Sequence, residues 1–232
     1  MAEGLEANYR KVLTICDEIC KKTGRPVENV QLIAVSKSHT VEAIREIYDL
    51  GQRVFGESRA QELVEKFDLL PKDINWHFVG RLQRNKVKYI IDKICFIHSL
   101  DSLELAQEIS RQATQKNVNV SVLAQLNLGG ESSKTGFSEL GLKDALAEVA
   151  GLPGLKVVGL MTIGPYHDDP EGSRDLFSRL AKLSGEAVMW QIPGVDLKYL
   201  SMGMSHDYHI AIEEGANFIR VGTGIFGYRG GN

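Results

Sequence analysis

The sequence predicts a single α/β domain over residues 1–232, folded as a (β/α)8 TIM-type barrel with an extra N-terminal helix. Three observations carry this. Eight short apolar runs alternate with helix-like stretches or turns almost to the end of the chain. The length of 232 residues suits one large core of this kind. The last apolar run is followed by a glycine-rich turn. A doubly wound open sheet shows the same alternation, but the count of eight favours the barrel. No internal repeat, low-complexity segment or interdomain linker breaks the pattern.

The elements follow in order. Leu5, Val12, Ile15, Cys16 and Ile19 give an apolar stripe to an opening helix over about Leu5–Lys22, which Gly24-Arg25-Pro26 stops. Strand one is Leu32–Ser36, and Gly51 ends the helix after it, Val41–Leu50. Strand two is Arg53–Phe55, with a helix over Ala60–Phe67. Strand three, Asn75–Val79, leads through Gly80-Arg81-Leu82-Gln83 to a helix from about Asn85. Strand four is Ile94–His98; Asp101 is the expected N-cap of the helix Leu103–Gln115, with Glu104 in the capping-box role. Strand five is Val118–Leu128, followed by a polar loop over 129–136 and a helix over Glu139–Ala150. Strand six, Lys156–Thr162, precedes a loop over Gly164–Asp169 and a helix over Ser173–Gly185. Strand seven is Leu197–Ser201, with a short helix over Tyr208–Glu214; strand eight is Asn217–Val221, and Gly222–Tyr228 closes the chain.

Composition excludes several classes. The net charge of −3 and the lack of a long basic block give no support to nucleic-acid or membrane-surface binding. The acidic N-terminus has no signal-peptide core, and no apolar stretch reaches the ~18–20 residues of a membrane span. Three cysteines, Cys16, Cys20 and Cys95, form no metal-ligand pattern; Cys16 and Cys20 read as small residues on a helix packing face. The expectation is a reduced, cytoplasmic protein without a metal site.

Lys37 stands where strand one gives way to a loop. Burial there would lower the pKa of its amine and free it to attack a carbonyl, so it is a candidate Schiff-base former, against the alternative of a surface loop lysine. Barrels gather chemistry at the C-terminal ends of their strands, with phosphate often held after strands seven and eight. Both loops supply parts for this. Ser205, expected to cap the helix after strand seven, offers a hydroxyl. After strand eight, Gly222 and Gly224 permit close backbone approach and Thr223 adds a donor. Arg220 lies within strand eight; alternation with Ile219 and Val221 points it into the barrel mouth, to meet either a ligand acceptor or a neighbouring strand's carboxylate. Other polar residues near strand ends are Glu57, Ser58, His77, Gln83, Asn85, Lys86, His98, Asn127 and Thr162. The histidines read either as satisfied structural groups or as acid–base groups, and Lys134 as a solvated loop residue.

A lysine after strand one, an anion site after strands seven and eight and an arginine on strand eight resemble the barrel of fold-type III pyridoxal 5'-phosphate (PLP) proteins, such as alanine racemase. The closer resemblance is to the pyridoxal phosphate homeostasis (YggS/PROSC) family. It rests on Ala34-Val35-Ser36-Lys37, Phe55-Gly56-Glu57, Trp76-His77-Phe78-Val79-Gly80 with Leu82-Gln83 and Asn85-Lys86, Ser133-Lys134-Thr135-Gly136, Gly159-Leu160-Met161, Leu200 to Ser205, and Arg220 to Gly227. These stretches run in order from residue 34 to 227. The resemblance implies that Lys37 carries PLP as a Schiff base, that Ser205, Gly222 and Thr223 hold its phosphate, and that Arg220 lies near the pyridine nitrogen. It also implies a contact at Ser58, where the family usually has asparagine.

Three functions compete. The first is PLP homeostasis: a cofactor carrier, with no catalytic residue, that buffers PLP or delivers it to PLP-dependent apoenzymes. The chain leaves no room for the second domain of the racemases, so the cofactor's outer face is expected to be open and the protein a monomer. The second is a weak amino-acid racemase, which needs a second acid–base group such as His77 or Tyr228 beside Lys37. The third is a PLP-independent Schiff-base aldolase acting on a sugar phosphate.

Overall fold

The computed structural model describes residues 4–129 and 135–227; Lys134 and Tyr228 lie outside them. Eight strands pair in parallel, each with the next and the last with the first: β1 (Gln31–Val35), β2 (Val54–Glu57), β3 (Asn75–Phe78), β4 (Phe96–Leu100), β5 (Val120–Leu126), β6 (Leu155–Thr162), β7 (Val195–Met204) and β8 (Phe218–Val221). The helices are α1 (Leu5–Thr23), α2 (Val41–Asp49), α3 (Ala60–Leu69), α4 (Val87–Ile90), α5 (Leu103–Lys116), α6 (Leu142–Ala150), α7 (Arg174–Val188), α8 (Tyr208–Glu213) and α9 (Thr223–Phe226). The closed barrel and the extra first helix agree with the sequence.

Alternation along the strands divides the core in two. Leu32, Ala34, Phe55, Trp76 and Phe78 point outward and pack under the helices. Ile33, Val35, Val54, Val79, Leu123, Val158, Met161 and Phe218 fill the barrel. Burial of a side chain such as Phe55 or Phe78 contributes roughly 1.5–3 kcal/mol. The first helix packs on α2, α8 and α9 through Tyr9, Val12, Cys16 and Cys20. The Tyr9 hydroxyl donates to Gln52, whose amide donates to the Leu32 and Val54 carbonyls, so α1 is tied to β1 and β2; on the β8 side the Asn8 amide donates to the Ile225 carbonyl of α9. Cys16 and Cys20 are buried free thiols, as packing residues would be, and burial pushes Cys16 up to about 12. No helix is long and apolar enough to cross a membrane, and no cluster of metal-ligating residues occurs among the described residues.

Three expectations need correction. The N-cap of α5 is Ser102: its hydroxyl accepts from the Leu105 N–H at 3.3 Å. The serine is one residue closer to the helix than Asp101, and only its oxygen lies in reach of the third amide. Strand β4 runs two residues further than expected, so His98 is central in it and not terminal. Strand β7 runs on through Met204; an irregularity between Ser201 and Met204 lets Gly203 adopt a positive φ while Met204 still pairs with Arg220. That irregularity hid the strand's end in the sequence.

The cap assignment is testable. Ser102→Ala should lower unfolding free energy by about 1 kcal/mol, while Asp101→Ala should stay within about 0.5 kcal/mol. Urea unfolding of both variants checks this; the reverse order would restore Asp101 as the cap.

Candidate functional site

The barrel register assembles the site. Met204 of β7 pairs with Arg220 of β8, Val221 with Ala34 of β1, and Val35 with Gly56 of β2. Residues that follow these partners leave the barrel at one rim, on four adjacent strands. Ser205, Gly222, Thr223, Lys37 and Ser58 are all there, and Arg220 lies one step below, inside the barrel. Ser58, Ser205 and Gly222 are half-buried, Thr223 is exposed and Arg220 is buried. Lys37 is exposed in the turn after β1. The burial argument for its reactivity therefore does not apply to the chain alone.

The turn that carries Lys37 is clamped by buried charge. The Ser36 hydroxyl donates to Glu57 Oε1 at 2.7 Å, and the Ser38 N–H donates to Glu62 Oε2 at 2.6 Å. Lys66, on α3, places its ammonium beneath them: it donates to the Ser36 carbonyl at 2.8 Å, to Glu57 Oε1 at 2.6 Å and to Glu62 Oε2 at 3.2 Å. Glu57 is fully buried on the outer face of β2, and Lys66 is nearly so. Burial pushes the Glu57 carboxyl up, opposed by Lys66 and the Ser36 hydroxyl. Burial also works against the Glu62 carboxylate, but the Ser38 N–H and Lys66 outweigh it and hold this group low. Ser38 takes φ of 62°, a left-handed conformation that these bonds stabilise. His39 then stacks on Phe226 of α9 at 4.7 Å, joining the Lys37 turn to the loop after β8. The sequence reading missed Lys66. Its signal was position: it lies three residues after buried Leu63, on the apolar face of α3.

The second part of the site is a cradle of donors. Ser205 Oγ accepts from the N–H groups of Gly222 (3.1 Å) and Gly224 (3.0 Å). Both lone pairs are then used, and the hydroxyl proton is left to point at an outside acceptor. This corrects the expectation that Ser205 caps the following helix. Asp207 takes the N-cap position of α8, without a side-chain cap bond, and its carboxylate accepts from the Met204 N–H and the Ser173 hydroxyl. Thr223 begins α9; the Gly224 N–H is taken by Ser205 and those of Ile225 and Phe226 by the Gly222 carbonyl, which leaves the Thr223 N–H and hydroxyl as the donors of this turn. A Cβ at Gly224 would stand 2.8 Å from Val221 Cγ1, so only glycine lets this loop close over Ser205. Hydroxyl and amide donors in this arrangement suit an anion such as a phosphate ester. Ser58 sits across the rim, with Gly80 pressed against it: a Cβ there would lie 2.5 Å from the Ser58 carbonyl.

Arg220 has no carboxylate within 4 Å among the described residues, which removes the ion-pair alternative. Its Nη1 donates to Ser201 Oγ at 2.6 Å and its Nη2 to the Thr162 carbonyl at 3.0 Å. Burial pushes the guanidinium down to about 10, with Asp207 acting the other way, so it stays protonated at neutral pH. Two bonds leave N–H groups of the guanidinium for an acceptor in the mouth. Below Arg220, His98 Nδ1 lies 2.8 Å from Ser201 Oγ, and His98 Nε2 lies 2.9 Å from His77 Nδ1. Burial lowers His77 to about 3; burial, His77 and Arg220 hold His98 well below the usual imidazole range. Both rings are neutral structural groups inside the barrel, away from the rim.

Comparisons with known proteins agree with this geometry. A family model for the alanine racemase N-terminal domain matches residues 8–230. The pyridoxal phosphate homeostasis protein of Aquifex aeolicus (strain VF5) is 44% identical over 220 residues, covering 94% of this chain and 96% of that one. The solved structure of PipY from Synechococcus elongatus PCC7942 with PLP bound is 36% identical, with a TM-score of 0.80, and covers 92% of this chain and 100% of PipY. A solved structure of an unknown protein from Bifidobacterium adolescentis has a TM-score of 0.90 at 32% identity, covering 96% of this chain and 94% of the other.

Two outcomes follow for the buried charges. Lys66→Met leaves Glu57 without its ion-pair partner and should destabilise the fold by about 3–5 kcal/mol in urea unfolding; a change within about 0.5 kcal/mol would mean that the clamp is idle. The histidines set a pH dependence. Their folded pKa values lie below the unfolded value of about 6.5, so the unfolded chain binds more protons below that pH. Stability is then full above about 6.5 and is lost as pH falls toward about 3. In His77→Gln the slope of stability against pH near 5 should drop by about one proton; an unchanged slope would contradict the neutral, buried His77.

Proposed function

This chain belongs to the alanine racemase N-terminal-domain family, and within it to the pyridoxal phosphate homeostasis proteins, and we propose that it binds PLP at the rim formed by β7, β8, β1 and β2. The observation that carries this reading is the convergence of one exposed amine, Lys37, with the donor cradle of Ser205, Gly222 and Thr223 and with Arg220 beneath them. Lys37 is the covalent anchor for the cofactor's aldehyde. The cradle holds the phosphate through the outward hydroxyl of Ser205, the Thr223 side chain and the Thr223 N–H that opens α9. Ser58 flanks the ring, and its short hydroxyl takes the place of the asparagine usual in the family. When bound, PLP supplies a ring that can draw electrons from an attached amine. Arg220, which donates and cannot accept, keeps the ring nitrogen without a proton and so makes that ring a poorer electron sink.

The same residues favour a carrier over an enzyme. Racemisation needs a second proton-transfer group beside Lys37 at the rim. His77, the described candidate from the sequence, is neutral and lies inside the barrel with His98. The reading is therefore a protein of PLP homeostasis that buffers the cofactor or passes it to PLP-dependent apoenzymes, without efficient turnover and with no catalytic residue. We extend it to a single-domain monomer over residues 1–232. Three unpaired cysteines, two of them buried, support a reducing cytoplasmic setting. A weak racemase remains the alternative and needs a second proton-transfer group beside Lys37 at the rim.

Reconstitution tests this. Chain mixed with PLP should turn yellow, and Lys37→Ala should lose that band while keeping its far-UV circular dichroism. Ser205→Ala combined with Thr223→Val should release PLP about tenfold faster, as expected for loss of charge-assisted hydrogen bonds, with a smaller effect on folding. Unchanged retention would sink the cradle assignment, and amino-acid turnover at ~1 s⁻¹ or more would favour the racemase.

A further inference from the structure

The polar groups beneath the site form one hydrogen-bonded file, and its direction can be deduced. Arg220 carries only donors, so the Ser201 oxygen must accept at their 2.6 Å contact. Ser201 Oγ also lies 2.8 Å from Nδ1 of His98. Were the His98 proton on Nδ1, Ser201 would accept twice, and its own proton would be buried without an acceptor among the described residues, a costly arrangement for a fully buried hydroxyl. Ser201 therefore donates to Nδ1, and neutral His98 carries its proton on Nε2. That N–H donates to Nδ1 of His77, 2.9 Å away, which places the His77 proton on Nε2 in turn. His77 lines a cavity of about 590 Å³ at the N-terminal mouth of the barrel, with Asn75, Tyr199 and Phe218. The file thus crosses the barrel from the mouth opposite the site to the floor of the site. At its upper end the guanidinium is fixed at both Nη atoms, by Ser201 of β7 and by the Thr162 carbonyl of β6.

We propose that His98 and Ser201 are positioning residues: the one-way file from His77 fixes the plane of Arg220 so that its remaining N–H groups meet the cofactor's ring nitrogen. Because the file ends on a group that cannot accept, it transmits orientation and conducts no proton. This rests on the reading that PLP sits at the rim with its ring nitrogen toward Arg220.

The test has one arm without PLP and one with it. Nitrogen-15 NMR of the histidine rings in the chain alone should show His77 and His98 protonated at Nε2 and bare at Nδ1. Ser201→Ala should move the His98 Nδ1 resonance, and the full chain carrying it should release PLP about tenfold faster, the loss expected for a buried charge-assisted bond. Its bound-PLP band should also shift with pH between about 6 and 8, where that of the parent chain stays constant. Ser201→Thr, which keeps the hydroxyl, should restore both. A His98 protonated at Nδ1 would overturn the direction of the file, and this readout needs no variant to fold. A Ser201→Ala chain with parental release and band would overturn the positioning role. A parent chain with the expected tautomers that takes up no PLP would show that the cofactor reading itself had failed.

Discussion

Everything at the site depends on the pairing of β8 with β1. Gln31, Leu32, Ile33 and Ala34 pair with Phe218, Ile219, Arg220 and Val221 and close the sheet. That closure brings the turn after residue 35 beside the turn after residue 221, from nearly opposite ends of the chain. The loops of Lys37 and Thr223 meet only because these four rungs form, and His39 on Phe226 adds a stacking contact across the same seam. The first helix lies over this seam and bonds to both sides of it, to β1 through Tyr9 and Gln52 and to α9 after β8 through Asn8. Loss of the seam would separate an amine from its anion cradle before any site residue were changed.

The barrel handles its buried polar groups in two ways. Outside the strands, Glu57, Glu62 and Lys66 keep their charges close together and spend their hydrogen bonds on Ser36 and Ser38, the neighbours of Lys37. Inside, one cation is hydrogen-bonded, among the described residues, to neutral partners, Ser201 and the Thr162 carbonyl, with two uncharged imidazoles further down and the Asp207 carboxylate acting from beyond 4 Å. The first arrangement holds a loop in a strained conformation. The second leaves a guanidinium protonated, oriented and without a carboxylate within 4 Å among the described residues. A buried cation without an ion-pair partner has unused attraction for an electron-rich ligand atom.

Much of this could be read from the sequence. The count of eight strands and the alternation that turns Arg220 inward follow from periodicity, and both agree with the structure. Glycine-rich loops after strands seven and eight pointed to the rim where the barrel register brings Lys37, Ser205 and Thr223 together. What escaped was set by contacts between distant segments. Ser102 outcompetes Asp101 by one residue of geometry. The end of β7 was masked by Gly203, and Ser205 turned out to brace the opposite loop in place of its own helix. Lys66 stands four residues after Glu62, the spacing of an ordinary helix ion pair, and nothing local shows that its ammonium reaches Ser36, 30 residues away in sequence. The file from His77 to Arg220 spans four strands, and no spacing in the chain records it.

The central claim is that Lys37, at the β8–β1 seam, is where PLP attaches. The most direct measurement is borohydride reduction of the PLP-loaded chain followed by peptide mass mapping. The account predicts one reduced pyridoxyl group, on Lys37. Label on another lysine in its place, or no label after saturation with PLP, would contradict it.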